Sequence, residues 1–317
     1  MTRLRSRGSA GAWLAGAAAV LAGAALANHL VARRSERRNP PPGRFLTVDG
    51  VRLHVIEEGE GPPVVLLHGN GAMAEDFVLS GIFSRLARNH RVIAIDRPGF
   101  GYSERPRGTV WTAAAQARLI HRALLRMDVA RPVLVGHSWG TLVALRMALD
   151  HPRDAAALVL LSGYYTPTVR SDVVLFSGPA IPVLGDLMRY TIAPLASLLI
   201  LPILVRKIFA PGPVPGHFRR GFPFGLALRP SQLRASAADT ALMVQGAFAM
   251  RHRHGELGMP VIILSGDGDR IVDLGRQSAR LHREVPGSEL RVVPGAGHMI
   301  YHVAPDAVVA AIEDAAA

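Results

Sequence analysis

A chain of 317 residues is long enough for one large α/β domain with an insertion, or for two modest domains, and it contains no cysteine. Disulfides, thiolate metal sites and a cysteine nucleophile are therefore excluded. The formal charge of +12 points to nucleic acid or an anionic membrane only until it is located: residues 1–44 carry eight arginines against Glu36, or +7, leaving +5 for the remaining 273 residues. No nucleic-acid motif accompanies it, and no nucleic-acid partner is expected.

The uncharged Ala/Leu/Gly-rich run from Ser9 to Ala32 is long enough, at about 1.5 Å per residue, to cross a hydrocarbon core of roughly 30 Å. It reads as a single-pass membrane helix. A cleaved signal peptide is the competing reading, since Arg3, Arg5 and Arg7 form a basic leader and Ala25-Leu26-Ala27 has the small-x-small form of a cleavage site. Against cleavage, apolar character resumes at Leu30 and Val31, and the arginines from Arg33 to Arg38 resemble a stop-transfer flank. Arginines before and after the run nearly balance, so the side of the membrane stays open. Residues 1–38 are thus an expected anchor with basic flanks, and residues 39–44 a stiff proline-rich linker.

From Phe45 onward short apolar runs alternate with helical stretches. Phe45–Val48 and Val51–Glu57 flank the turn pair Asp49-Gly50 and predict a hairpin. Val64–Leu67, Val92–Asp96, Val133–Gly136 and Leu158–Ser162 have the length and apolarity of strands buried on both faces of a parallel sheet. Between them Asp76–Arg88, Thr112–Met127, with Thr112 as its N-cap, and Leu142–Asp150 predict helices. The alternation lapses after Tyr165 and returns with a strand at Val261–Leu264, a helix at Leu274–Glu284, a strand at Leu290–Val293 and a helix at Pro305–Asp314. The expected architecture is a doubly wound, mostly parallel eight-stranded α/β sheet. Residues 45–165 and 260–317 form its core, and a helical insertion over 166–259 interrupts it.

Gly136-His137-Ser138-Trp139-Gly140 fits the GxSxG nucleophile elbow, in which a strand turns sharply into a helix and exposes a strained serine. The strand Pro132–Val135 and the helix from Thr141 supply the required context, and larger residues at either glycine would collide where strand and helix pack. A serine hydroxyl needs an imidazole to take its proton, and that imidazole needs a carboxylate. His298, in the glycine-rich loop Gly295–His298 past the last strand, would lie at the same sheet edge as the elbow, with His302 as its rival. Gly266-Asp267-Gly268-Asp269 follows the seventh strand. Asp269 is expected to face the histidine while Asp267 caps its own turn, with Asp267 as the alternative acid. Backbone N–H groups of Trp139 and of Asn70, in His68-Gly69-Asn70-Gly71, are the expected oxyanion donors. His68 precedes the nucleophile and reads as a loop brace.

With these residues in hand, the chain from about Phe45 to Ala315 resembles the α/β-hydrolase superfamily, in particular its capped branch of esterases and lipase-like enzymes. The matching pieces are Leu67-His68-Gly69-Asn70, Asp96 to Ser103, the GxSxG pentapeptide, Gly266 to Asp269 and Gly297-His298. The resemblance implies that residues 166–259 form a cap over the active site, and that Asp96 and the glycines of its turn are structural. Haloalkane dehalogenases and epoxide hydrolases of this fold attack through Asp, so Ser138 argues against both reactions.

The insertion contains an uncharged stretch, Thr191 to Val205, which Pro194 and Pro202 are expected to break, leaving it too short and too kinked for a second span. It either packs on the core and lines an apolar pocket, or dips into the membrane interface beside Arg206 and Lys207. Both readings favour a lipophilic small-molecule ester. The expected reaction is hydrolysis through an acyl-enzyme on Ser138, His298 and Asp269, requiring no metal or organic cofactor. Acyl transfer or perhydrolysis on the same residues, and a ligand-binding protein without turnover, are the alternatives.

Overall fold

A computed structural model describes residues 6–168, 173 and 176–317. Arg3 and Arg5 of the basic leader, and residues 169–172 and 174–175 of the expected cap, lie outside the described residues.

The chain after residue 43 forms one eight-stranded sheet in the order β1-β2-β4-β3-β5-β6-β7-β8. The strands are β1 Arg44–Val48, β2 Val51–Glu58, β3 Pro63–Leu67, β4 Arg91–Ile95, β5 Val133–His137, β6 Ala157–Leu161, β7 Val261–Gly266 and β8 Glu289–Val293. β2 runs antiparallel to both β1 and β4, while β3 to β8 pair in parallel. Asp49 and Gly50 both take positive φ, the conformation a two-residue hairpin turn demands. Each of the strands β3 to β7 is almost wholly buried, because helices cover both faces.

α4 (Ala113–Arg126), α5 (Gly140–Asp150) and α11 (Ser278–Glu284) pack on one face. α2 (Glu75–Ser80), α3 (Ile82–Leu86) and α12 (Pro305–Ala316) pack on the other. Thr112 caps α4 as expected, its side chain accepting from the Ala115 N–H. Two helices differ from expectation. The segment expected as one helix over Asp76–Arg88 is two, because Gly81 takes φ +83° and ends α2 in a left-handed cap. The helix expected from Leu274 begins only at Ser278, since the Asp273 carboxylate accepts from the Arg276 N–H and holds a turn there.

The insertion after β6 carries α6 (Leu184–Tyr190), α7 (Ile192–Phe209), α8 (Gly216–Gly221), α9 (Phe224–Ala227) and α10 (Pro230–Phe248). α7 corrects an expectation: the two prolines do not break the apolar stretch, which is a continuous 18-residue helix. Pro194 sits in its first turn, where no amide partner is needed, and Pro202 removes a single interior hydrogen bond with full turns on either side. Core packing of this stretch is also not what the structure has, since only Ala193, Pro194 and Phe209 of α7 are buried.

α1 (Ser6–Arg38) is one unbroken helix that runs through the arginine cluster. Both α1 and α7 are long and apolar enough to cross a membrane by length and composition. The C-terminal third of α1 is fastened to the insertion. Buried Asn28 donates to the carbonyls of Tyr190, 3.0 Å, and Thr191, 2.7 Å, and Glu36 pairs with Arg229 at 3.1 Å. The proline-rich linker is likewise pinned rather than free, as the Tyr102 hydroxyl donates to the Asn39 carbonyl and His54 contacts the Pro42 carbonyl.

Candidate active site

Parallel strands end at one edge of the sheet, and every expected site residue follows the end of one: Asn70 after β3, Ser138 after β5, Asp269 after β7 and His298 after β8. Ser138 holds φ +51°, a left-handed conformation that costs a non-glycine residue about 1–3 kcal/mol and persists only where its surroundings enforce it. Here the enforcement is steric. A Cβ on Gly136 would lie 2.7 Å from the Thr141 Cα, and one on Gly140 would lie 2.2 Å from the Leu67 carbonyl oxygen. Strand and helix pack so closely that the chain must turn through a single strained residue. The Ser138 N–H, donating to the Leu161 carbonyl at 2.9 Å, ties the turn to β6.

Three expected residues come together in a line. His298 Nε2 lies 2.9 Å from Ser138 Oγ, and His298 Nδ1 lies 2.8 Å from Asp269 Oδ2. The other Asp269 oxygen accepts from the N–H groups of Ile271, 2.7 Å, and Val272, 3.0 Å. Burial pushes the Asp269 carboxyl up, but His298 and these two N–H donors outweigh it and hold the group below the ordinary carboxylate value. Asp267 is elsewhere, its Oδ1 accepting from the Gly295 N–H at 2.6 Å. The turn-capping expected of Asp267 is thus done by Asp269, while Asp267 staples the acid loop to the histidine loop. His302 is also elsewhere, between Asp76 at 2.9 Å and His217 at 3.0 Å.

Trp139 follows the serine in the chain, and Asn70 follows Gly69, on which a Cβ would lie 3.0 Å from the Ser138 Cβ. Among the described residues, neither of their backbone N–H groups donates to another protein group. His68 braces their loop, as expected. Its Nδ1–H donates to the Gly69 carbonyl at 2.8 Å and its Nε2 accepts from the Arg97 N–H at 3.0 Å. Burial, aided by the Arg97 charge, pushes its pKa down to about 3, which keeps it neutral.

Sequence reasoning missed the residues that hold this loop from the side of the insertion. Arg97 donates to the His68 carbonyl at 2.8 Å and the Gly69 carbonyl at 3.1 Å, and pairs with Asp239 of α10. The Asn70 side chain donates to Thr240 Oγ1 at 2.8 Å, and the Trp139 indole donates to the Asp239 carbonyl at 2.8 Å. The one available signal was Asp239, the only acidic residue in α10. His137 was passed over as a variable position of the pentapeptide. Its Nε2–H donates to the His298 carbonyl at 3.0 Å, and burial followed by the neighbouring His298 pushes its pKa down to about 3.

Residues 64–311 match the alpha/beta hydrolase family. The 2-hydroxy-6-oxo-2,4-heptadienoate hydrolase of Pseudomonas putida is 27% identical over 266 residues, covering 83% of this chain and 91% of that one. Haloalkane dehalogenase 2 of Mycobacterium tuberculosis is 27% identical over 288 residues, covering 86% and 94%. Among solved structures, a membrane phospholipase A described as a bacterial virulence factor is 22% identical, with a TM-score of 0.66 and 97% of each chain covered. At that coverage the likeness in fold reaches into α1.

Proposed function

This chain belongs to the alpha/beta hydrolase family of enzymes, and we propose that within it the protein cleaves carboxylic esters of lipophilic character through an acyl-enzyme on Ser138. The observation that carries the reading is the Ser138–His298–Asp269 line, with contacts of 2.9 and 2.8 Å. In this mechanism His298 Nε2 accepts the hydroxyl proton as Ser138 Oγ attacks the ester carbonyl carbon. The N–H groups of Asn70 and Trp139 then take the negative charge of the tetrahedral intermediate. Asp269, already ionised, accepts the His298 Nδ1–H and balances the imidazolium. The protonated His298 gives its proton to the leaving alcohol, and water repeats the sequence on the acyl-enzyme. No step calls on a metal or organic cofactor. Residues 166–259 act as the cap, with α10 resting on the oxyanion loop.

Fluorophosphonate labelling of the wild type and of Ser138→Ala tests this reading. Labelling of the wild type alone, with turnover of esters rising with acyl length, is the expected result. An unlabelled wild type would remove the acyl-enzyme and leave a ligand-binding protein. Labelling with transfer to an added alcohol or to peroxide in preference to water would make the protein an acyltransferase or perhydrolase.

Membrane attachment through α1 is part of the same reading. Cleavage after Ala27 would put a new charged terminus on Asn28, whose side chain is buried against Tyr190 and Thr191, which favours a retained helix. N-terminal sequencing of the mature protein distinguishes the two: a chain beginning at Met1 or Thr2 supports the anchor, and one beginning at Asn28 supports a signal peptide.

A further inference from the structure

α7 is an anomaly for a helix in a folded domain. It contains no acidic residue, and its large side chains face outward: Leu199 is 80% exposed and Ile203 65%, with Ile192, Leu195 and Leu198 exposed beside them. Burying such side chains stabilises by about 1.5–3 kcal/mol each, so leaving several of them in water on one helix is costly. Contiguous apolar patches of this kind mark an interaction surface. The patch is not isolated. α7 starts where Asn28 of α1 donates to the Thr191 carbonyl, and the N-terminal half of α1 presents Trp13, 80% exposed, and Leu14, 73% exposed.

Both ends of α7 are tied to other parts of the protein, which argues against its serving as a second span. Its start is fastened to α1. At its finish Phe209 is buried against the His302 and Phe218 rings, and the Ile208 carbonyl accepts from the Met299 N–H at 3.3 Å. Tied at both ends, the 18-residue helix is suited to lie along a bilayer surface with Leu195, Leu198, Leu199 and Ile203, all exposed, turned toward the lipid. Exposed Arg206 and Lys207 in its last turn, with exposed Arg219 and Arg220 on α8, supply cations that can pair with lipid phosphates.

We propose that α7 is an interfacial lipid-docking element, a second contact with the phospholipid bilayer beside α1, which seats the catalytic domain on the membrane. The proposal rests on the anchoring role of α1. Its consequence for the site is direct, because the end of α7 is packed against both loops that carry the acid and the base. A Cβ on Gly297, the residue before His298, would lie 2.4 Å from the Ala210 carbonyl oxygen, and one on Gly268, the residue before Asp269, would lie 2.4 Å from Pro211 Cδ. A bilayer seat at α7 therefore bears on the segment that backs the loops of His298 and Asp269.

The absence of native cysteine allows a direct test on the full chain. Leu199→Cys, and as a control the exposed Leu125→Cys on α4, each carry one environment-sensitive fluorophore and are reconstituted with vesicles of phosphatidylcholine and phosphatidylglycerol. The expected result is a blue-shifted probe at 199, quenched several-fold more by nitroxide-bearing lipid than the probe at 125, which aqueous iodide quenches instead. Vesicle-bound protein whose probe at 199 is quenched by iodide would overturn the seat and leave α1 as the anchor. Protein that fails to float with the vesicles would overturn both. A probe at 199 shielded from both quenchers, with cross-linking to a second copy, would replace the bilayer by a protein interface. The readout is position, not turnover, so it stands apart from the ester chemistry.

Discussion

Arg97 Nη1 and Asp239 Oδ2 lie 2.6 Å apart with both side chains fully buried, one in the turn after β4 and the other in the middle of helix α10 of the insertion. Arg105 and Gln116 complete the carboxylate's shell at 2.9 and 3.1 Å. Through Arg97 the insertion is connected to the carbonyls of His68 and Gly69, the two residues ahead of the proposed oxyanion donor Asn70. The insertion is therefore structurally joined to the loop that carries Asn70.

Removing one member of a buried pair leaves the other charge uncompensated, so Asp239→Asn is expected to cost about 3–5 kcal/mol in denaturant unfolding. The double variant Arg97→Met with Asp239→Leu is expected to recover much of that stability, since apolar replacements of such pairs are often tolerated. It is not expected to recover ester turnover, because the His68 and Gly69 carbonyls lose their donor. Recovery of both would reduce the pair to a packing role.

Asp269→Asn is expected to lower kcat by roughly 10⁴, as loss of the orienting carboxylate does in serine triads, with little effect on KM. Asp267→Asn, at a side chain that accepts from the Gly295 N–H and, among the described residues, makes no hydrogen bond to His298, is expected to stay within about tenfold of wild type. Steady-state kinetics on one ester compare the two. Equal losses would contradict the division of labour drawn between these carboxylates.

Gly140→Ala sets a Cβ 2.2 Å from the Leu67 carbonyl oxygen, a backbone atom that cannot swing aside. The substitution is expected to destabilise by at least about 1–3 kcal/mol, the usual cost of overpacking, and to displace Ser138 enough to abolish fluorophosphonate labelling. Gly108→Ala, where nothing lies within 4 Å, is the matched control and should behave as wild type.

His68 and His137 make stability depend on pH. Both have folded pKa values pushed down to about 3, chiefly by burial, against an ordinary value near 6.5. Between these limits the unfolded chain binds protons that the native state refuses. Their contribution is thus fully present above about pH 6.5 and is lost as pH falls toward about 3. Thermal melts are expected to show a Tm that drops steadily below about pH 6.5, and less steeply in His137→Gln. An unchanged slope in that variant would mean that His137 is protonated in the native state.

Local rules made the sheet strands legible, because a strand buried on both faces must be a short apolar run, and the elbow legible, because its two glycines answer to contacts within one strand–turn–helix unit. The split of Asp76–Arg88 was less legible, since a glycine inside a helical pattern can either be absorbed or take the left-handed conformation. Gly81 takes the second course. α7 was misread because proline position matters more than proline number: Pro194 falls in a first turn, where its missing N–H costs nothing.

Taken alone, the sequence determined the fold class, the serine at the elbow and the histidine and acid loops in their order, since each is encoded within a few neighbouring residues. Only the tertiary structure decided which of Asp267 and Asp269 faces His298, because both lie in one turn and differ only in what the neighbouring loop offers them. It alone joined Arg97 to Asp239, 142 residues apart, and turned the apolar side chains of α7 outward instead of into the core. Burial and pairing across such separations depend on how the elements pack, and no local pattern carries that information.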